Sequence, residues 1–144
     1  MQAIREMACV TSEAAAEMCA AAVAHAESIG VKINVAVVDA GGNLLAFRRM
    51  DGAFLHSVEI AQDKAYAAVS FGMPTGAWHG VFKELPELRD GLVTRPRFVT
   101  LAGGVPLMNG EQMIGGVGVS GASEQQDEAC AEAAIAILGL DGDA

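Results

Sequence analysis

The stretch Met113-Ile114-Gly115-Gly116-Val117-Gly118-Val119-Ser120 constrains the fold more than any other part of the chain. Side chains alternate across a β-strand, so one face carries Met113, Gly115, Val117 and Val119, and the other Ile114, Gly116, Gly118 and Ser120. Two successive glycines on one face leave bare backbone, which weakens a strand unless a helix or a ligand must come close. A helix follows at once, because Ser123 and Gln126 have the spacing of a capping box. Asp127 then sits near the positive end of that helix. It shares a stripe with Ala131, Ala134, Ile135 and Leu138, which turns it toward the sheet. Such a carboxylate either satisfies unpaired amides of the helix start or belongs to a site.

The preceding chain alternates helices with hairpin-joined strands. Thr11 caps a helix that runs to Gly30, with Ala15, Met18, Ala22, Ala26 and Ile29 on its buried stripe. His25 lies beside that stripe, as a boundary residue or as an imidazole for a bound ligand. Residues 33–39 and 44–49 read as two strands joined by a glycine turn. Asp39 closes the first, and Arg48 shares a face of the second with Leu44 and Ala46. A helix from Asp51 to about Ser70 follows, its stripe being Phe54, Val58, Ala61, Ala65 and Ala68. Lys64 sits at the edge of that stripe, where a lysine either snorkels or is held as a partly buried charge. Residues 77–97 show no clear period, with short helices expected around 77–82 or 85–90. The adjacent Trp78 and His79 suit a lid or a subunit contact. Residues 98–101 and 105–108 read as short strands, and Asn109-Gly110-Glu111-Gln112 as a hairpin turn. Helices flanking hairpin-joined strands mean α+β with an antiparallel sheet rather than a doubly wound fold.

A chain of 144 residues is expected to form one domain, spanning 1–144. Its net charge of −9 argues against a nucleic-acid partner, since phosphate binding needs a basic stripe. No apolar run is long enough to cross a bilayer, and the first residues lack a signal-peptide pattern, so a cytoplasmic protein without membrane partners is expected. Cys9, Cys19 and Cys130 are odd in number and lack CxxC spacing, which indicates neither a disulfide framework nor a zinc site. The composition is 52% hydrophobic, much of it alanine in helical patterns, and points to a homo-oligomer of at least a dimer.

Six stretches taken in order carry a family resemblance. They are Val37-Val38-Asp39-Ala40-Gly41-Gly42, Arg48 with Asp51-Gly52-Ala53, Ala61-Gln62-Asp63-Lys64-Ala65, Gly103-Gly104-Val105-Pro106-Leu107, Ile114 to Ala122, and Gln126-Asp127-Glu128. Together they resemble the GlcG/HbpS-like family, the haem-degrading domain, to which the C-terminal domain of PduO-type proteins also belongs. The resemblance implies a profilin-like or PAS-like fold: a five-stranded antiparallel sheet with the first and last helices on one side. It also implies homo-oligomers, often octamers, and an association with haem, iron or corrinoid handling and with catabolic operons. A Glu-x-x-Glu iron motif occurs in some members, and Glu84-Leu85-Pro86-Glu87 has that spacing.

Three functions follow as expectations. The first is haem or tetrapyrrole binding, with His25 as the candidate iron ligand and Gly116, Gly118 and Ser120 as further cofactor contacts; Met18 and Met73 would be apolar walls. The second is an enzyme or accessory protein acting on a small carboxylate or carbonyl compound. There Asp39, Arg48, Lys64 and Asp127 would converge as a catalytic cluster, the two bases holding the substrate and an acid moving a proton. That role requires an open cleft and an unpaired polar tip facing it. The third is a structural oligomer without catalysis.

Overall fold

The computed structural model describes residues 1–140. Five α-helices and four β-strands follow in the order α1 (Ser12–Ser28), β1 (Asn34–Asp39), β2 (Leu44–Arg49), α2 (Ser57–Phe71), α3 (Trp78–Glu84), α4 (Pro86–Leu92), β3 (Gly104–Asn109), β4 (Gln112–Ser120) and α5 (Glu124–Ala136). The sheet is antiparallel throughout, in the order β2-β1-β4-β3, so β4 is central. The architecture is α+β, with α1 and α5 packed together on one face. Helix α2 covers the other face, against β4, β1 and β3.

The helix ends follow their sequence signals. Thr11 Oγ1 accepts from Ala14 N at 3.1 Å. Both halves of the Ser123/Gln126 capping box are present. Between α1, α5 and the sheet lie Ala15, Met18, Ala22, Ala26, Val35, Val117, Val119, Ala131 and Ala134, all fully buried. Alanine lets these layers approach closely, and each larger aliphatic contributes roughly 1.5–3 kcal/mol on burial.

The glycine-bare face of β4 is filled by α2. A β-carbon on Gly116 would come within 2.6 Å of Val69 Cγ2. One on Gly118 would collide with the Ala61 carbonyl oxygen and stand 2.5 Å from Ala65 N. The terminal helices take the opposite face, so Gly116 and Gly118 meet helix backbone and leave no slot for a cofactor between helix and strand. Strict alternation also fails at one end of β4. A bulge between Leu107 and Met108 shifts the register, so Ile114 joins Val117 and Val119 while Met113 packs with Ala36, Val38 and Val69.

Among the described residues, four strands, not five, form the sheet. Residues 98–101, expected as a strand, run as irregular chain. Thr75 supplies hydrogen bonds that a strand neighbour would have made: its Oγ1 donates to Leu101 O at 2.6 Å and accepts from Gly104 N at 2.9 Å. The second helix starts at Ser57 rather than Asp51, and Phe54 is exposed instead of lying on its stripe. Turns occupy residues 51–56, with Phe54 O held by Asn34 Nδ2 at 3.2 Å and Ala53 O by the Arg49 guanidinium at 2.9 Å. Ile29 is likewise exposed, at the cap of α1. The sheet edges are β2, with Arg48 and Arg49 exposed, and β3, which contains Pro106.

Candidate functional site

The four charged residues expected to converge divide into three places. Lys64 and Asp127 meet as a buried pair, Nζ to Oδ2 at 3.2 Å, with the residues 1% and 2% exposed. The lysine side chain starts over Gly118, and its outer stem and ammonium lie against Gly103, where bare backbone leaves room for them. Its ammonium ends where β3 has turned away from β4. There Nζ donates to Val119 O at 2.9 Å and to Ala102 O at 2.8 Å. An ammonium has three hydrogens, and each has an acceptor. Asp127 accepts from Ala122 N at 2.9 Å through its other oxygen. Burial pushes the Lys64 ammonium down from its usual value and the Asp127 carboxyl up, and their mutual attraction opposes both shifts. This pair ties α2 on one face of the sheet to α5 on the other.

Asp39 and Arg48 lie elsewhere. The Asp39 carboxylate accepts from Gly41 N, Asn43 N and Asn43 Nδ2 at 2.9–3.1 Å, closing the β1–β2 turn. Arg48 pairs with Val35 across the ladder and is exposed on the α1 side, where its charge reaches Cys19. Ser120 is buried at the end of β4, opposite Asn34. His25 is half-buried in the last turn of α1, a helix packed on α5, β2 and β1.

An open groove lies in the segment where periodicity is weakest. It measures about 520 Å³ and is lined by His79, Phe82, Lys83, Pro86, Arg89 and Val93. Leu85 breaks the chain between α3 and α4, and Pro86 starts the second helix, where its missing N–H costs nothing. Behind the groove stands an aromatic block. Phe82 stacks on Trp78 at 5.3 Å with the planes 29° apart, and Phe71 and Phe98 meet Trp78 edge-on at 4.9 and 5.1 Å. A chain with five phenylalanines, one tryptophan and one tyrosine thus gathers three phenylalanines and the tryptophan here. Trp78 Nε1 is buried without a partner among the described residues. His79 is mostly exposed, with Nε2 3.5 Å from Glu124 Oε1. The same carboxylate oxygen accepts from Ala102 N at 2.8 Å, and that bond, with His79, holds Glu124 below the usual carboxylate range.

The chemistry of this groove is that of a flat, apolar wall with one imidazole and two cations at its rim. Sequence reasoning singled out the Trp78–His79 pair but left Phe82, Lys83 and Arg89 aside. They fall in two seven-residue helices, too short for a period to show. Among the described residues, no group of three or more His, Cys, Asp or Glu side chains is placed to hold a bare metal ion. No described helix is long and apolar enough to cross a membrane.

An antiparallel sheet between a terminal helix pair and a third helix, with a groove on an appended helical segment, defines a small α+β domain of a known kind. The family model described as "Haem degrading protein HbpS-like" matches residues 10–136, and the chain belongs to that family. It is 36% identical over 136 residues to an uncharacterized 15.0 kDa protein of the dhaT-dhaS intergenic region of Citrobacter freundii, covering 94% of this chain and 96% of that protein. A double mutant of Streptomyces reticuli HbpS superposes with a TM-score of 0.85 at 39% identity, over 94% of this chain and 91% of that one. The structure of a PduOC:haem complex superposes with a TM-score of 0.80 at 34% identity, over 89% and 94%.

Proposed function

We propose that this protein binds haem or a related tetrapyrrole, in the groove between α3 and α4. The observation that carries this reading is the groove itself: an aromatic-backed wall of about 520 Å³ with an imidazole at its edge. Haem sites need an axial ligand and an apolar slot, and this volume lies in the ordinary range for small-ligand sites. A relative of the same fold at 34% identity is described as a haem complex, which supports the assignment. His79 is the imidazole that the groove supplies. Glu124 lies on its Nε2 side, as a carboxylate commonly orients a ligating histidine, and His79 would hold an iron through its other nitrogen. His25 is the second candidate, on the other side of the molecule's layering. When bound, the macrocycle would supply the redox and ligand chemistry of its iron, while the chain supplies the wall, the ligand and the rim charges. The Lys64–Asp127 pair supports the core instead, since every Nζ hydrogen is committed and neither residue is open to a substrate.

The test is a hemin titration followed at the Soret band. Saturable binding with a ligand-field shift is expected in the wild type and in His25→Ala. His79→Ala should lose the shift. Retention of the shift in His79→Ala with its loss in His25→Ala would move the site to α1. Absence of saturable binding in the wild type would overturn the proposal.

A further inference from the structure

We infer that Lys83 and Arg89 form a two-point clamp for the carboxylates of an amphipathic dianion, so that the groove selects ring ligands bearing paired acid side chains. This rests on the tetrapyrrole reading above and narrows its ligand class.

The first observation is the charge of the rim. The chain carries 18 acidic residues against nine basic ones, yet the charged side chains lining the groove are Lys83 and Arg89, with no carboxylate among them. Acids do stand nearby and belong in the account. Glu124 holds His79, and Glu84, Glu87 and Asp90 are exposed on α3 and α4. Asp90 reaches Arg89 Nη2 only at 3.8 Å between well-exposed groups, a weak partner that an incoming carboxylate can displace. Lys83 has no ion-pair partner among the described residues.

The second observation is the division of the groove. Phe82, stacked on buried Trp78, with Pro86 and Val93, forms the apolar side. The two cations rise from different helices, one on each side of the Leu85 break. A flat ring laid against the apolar wall would keep its acid edge toward solvent, where the cations are. Arginine suits a carboxylate through its planar fork, and lysine adds a point charge. A ring without acids would keep the stacking and lose both ion pairs.

The test separates ring, iron and acid. Iron-free protoporphyrin IX and its dimethyl ester are each titrated from the same detergent stock, with quenching of Trp78, the chain's single tryptophan, as the readout. The diacid should bind the wild type more tightly than the diester, by roughly three- to tenfold for each exposed cation. That margin should shrink as salt is raised. Lys83→Gln combined with Arg89→Gln should reduce diacid binding to the level of the diester and leave the diester unchanged. Both side chains are exposed, so folding is not at issue, and a thermal melt of the double variant checks it. Equal wild-type affinity for diacid and diester, or an unaltered diacid affinity in the double variant, would overturn the clamp and leave the tetrapyrrole reading standing. Binding of hemin without binding of iron-free porphyrin would also overturn it, because ligation alone would then hold the ring. If neither porphyrin nor hemin binds, the clamp and the tetrapyrrole reading fall together.

Discussion

Replacing Lys64 by methionine keeps an unbranched, flexible stem of similar reach and removes the ammonium. Three acceptors then lose their donor: Asp127 Oδ2, Val119 O and Ala102 O. The carboxylate is the costly one. It stays buried with only backbone amides for company, and breaking a buried pair from one side costs about 3–5 kcal/mol. A domain of this length has roughly 7–20 kcal/mol in all, so the loss is a large share. At about 2–4 °C per kcal/mol the melting temperature should drop by roughly 6–20 °C. Adding Asp127→Leu should restore part of it. The buried charge is gone, and what remains is two carbonyls and the Ala122 amide without partners, about 1 kcal/mol or somewhat more for each. The double variant should therefore be no less stable than Lys64→Met alone, although Asp127→Leu on its own should also be costly. Urea unfolding of the four proteins at pH 7, closed as a double-mutant cycle, measures the coupling. Costs that add within about 0.5 kcal/mol, or a Lys64→Met loss under about 1 kcal/mol, would refute the assignment of this pair as the fastener between the two helical layers.

Gly118→Ala should cost at the upper end of the ~1–3 kcal/mol overpacking range or beyond, because the new methyl meets α2 backbone rather than a side chain that can swing away; urea unfolding reads it. Thiol titration of the native protein at pH 8 should label Cys9 alone, since Cys19 and Cys130 are buried and burial pushes both thiols up to about 11. Labelling of all three without denaturant would refute that placement. Glu124 has a depressed folded pKa, so its stabilising contribution is present above the ordinary glutamate value of 4.5 and is lost as pH falls through the folded value. Glu124→Gln should therefore lower stability at neutral pH and flatten the curve below about pH 4.5, where the wild type falls toward the variant, as measured by melts across pH.

Local signals with a fixed spacing were readable from the chain. Thr11, the Ser123/Gln126 box and the β1–β2 turn act within a few residues, so their geometry follows from sequence alone. The inward aim of Asp127 and the edge position of Lys64 were also readable, because each depends on one helix period. What joined them was not: Lys64 reaches Asp127 beside Gly103, and that depends on how the chain enters β3 next to the end of β4. The same reason separates Asp39 and Arg48 from the pair, since position at an element's end says nothing of which end of the sheet it occupies. The bare face of β4 announced a close approach but not which helix would make it. Residues 98–101 carry a strand's composition, yet a threonine from the turn before α3 takes up their hydrogen bonds. The aromatic wall of the groove draws on Phe71, Trp78, Phe82 and Phe98, spread over a stretch with no common period.

The two borders of the sheet close it against its own copies. A free strand edge is a template on which another chain can add, and runaway addition is how sheet proteins aggregate. On the β3 side, Pro106 has no N–H to offer a newcomer, so a fifth strand laid there would meet a gap in its ladder. On the β2 side, Arg48 and Arg49 put two exposed charges on the edge, and charged side chains on an edge strand oppose the addition of another strand. Both edges thus carry features that discourage another strand from adding to the sheet.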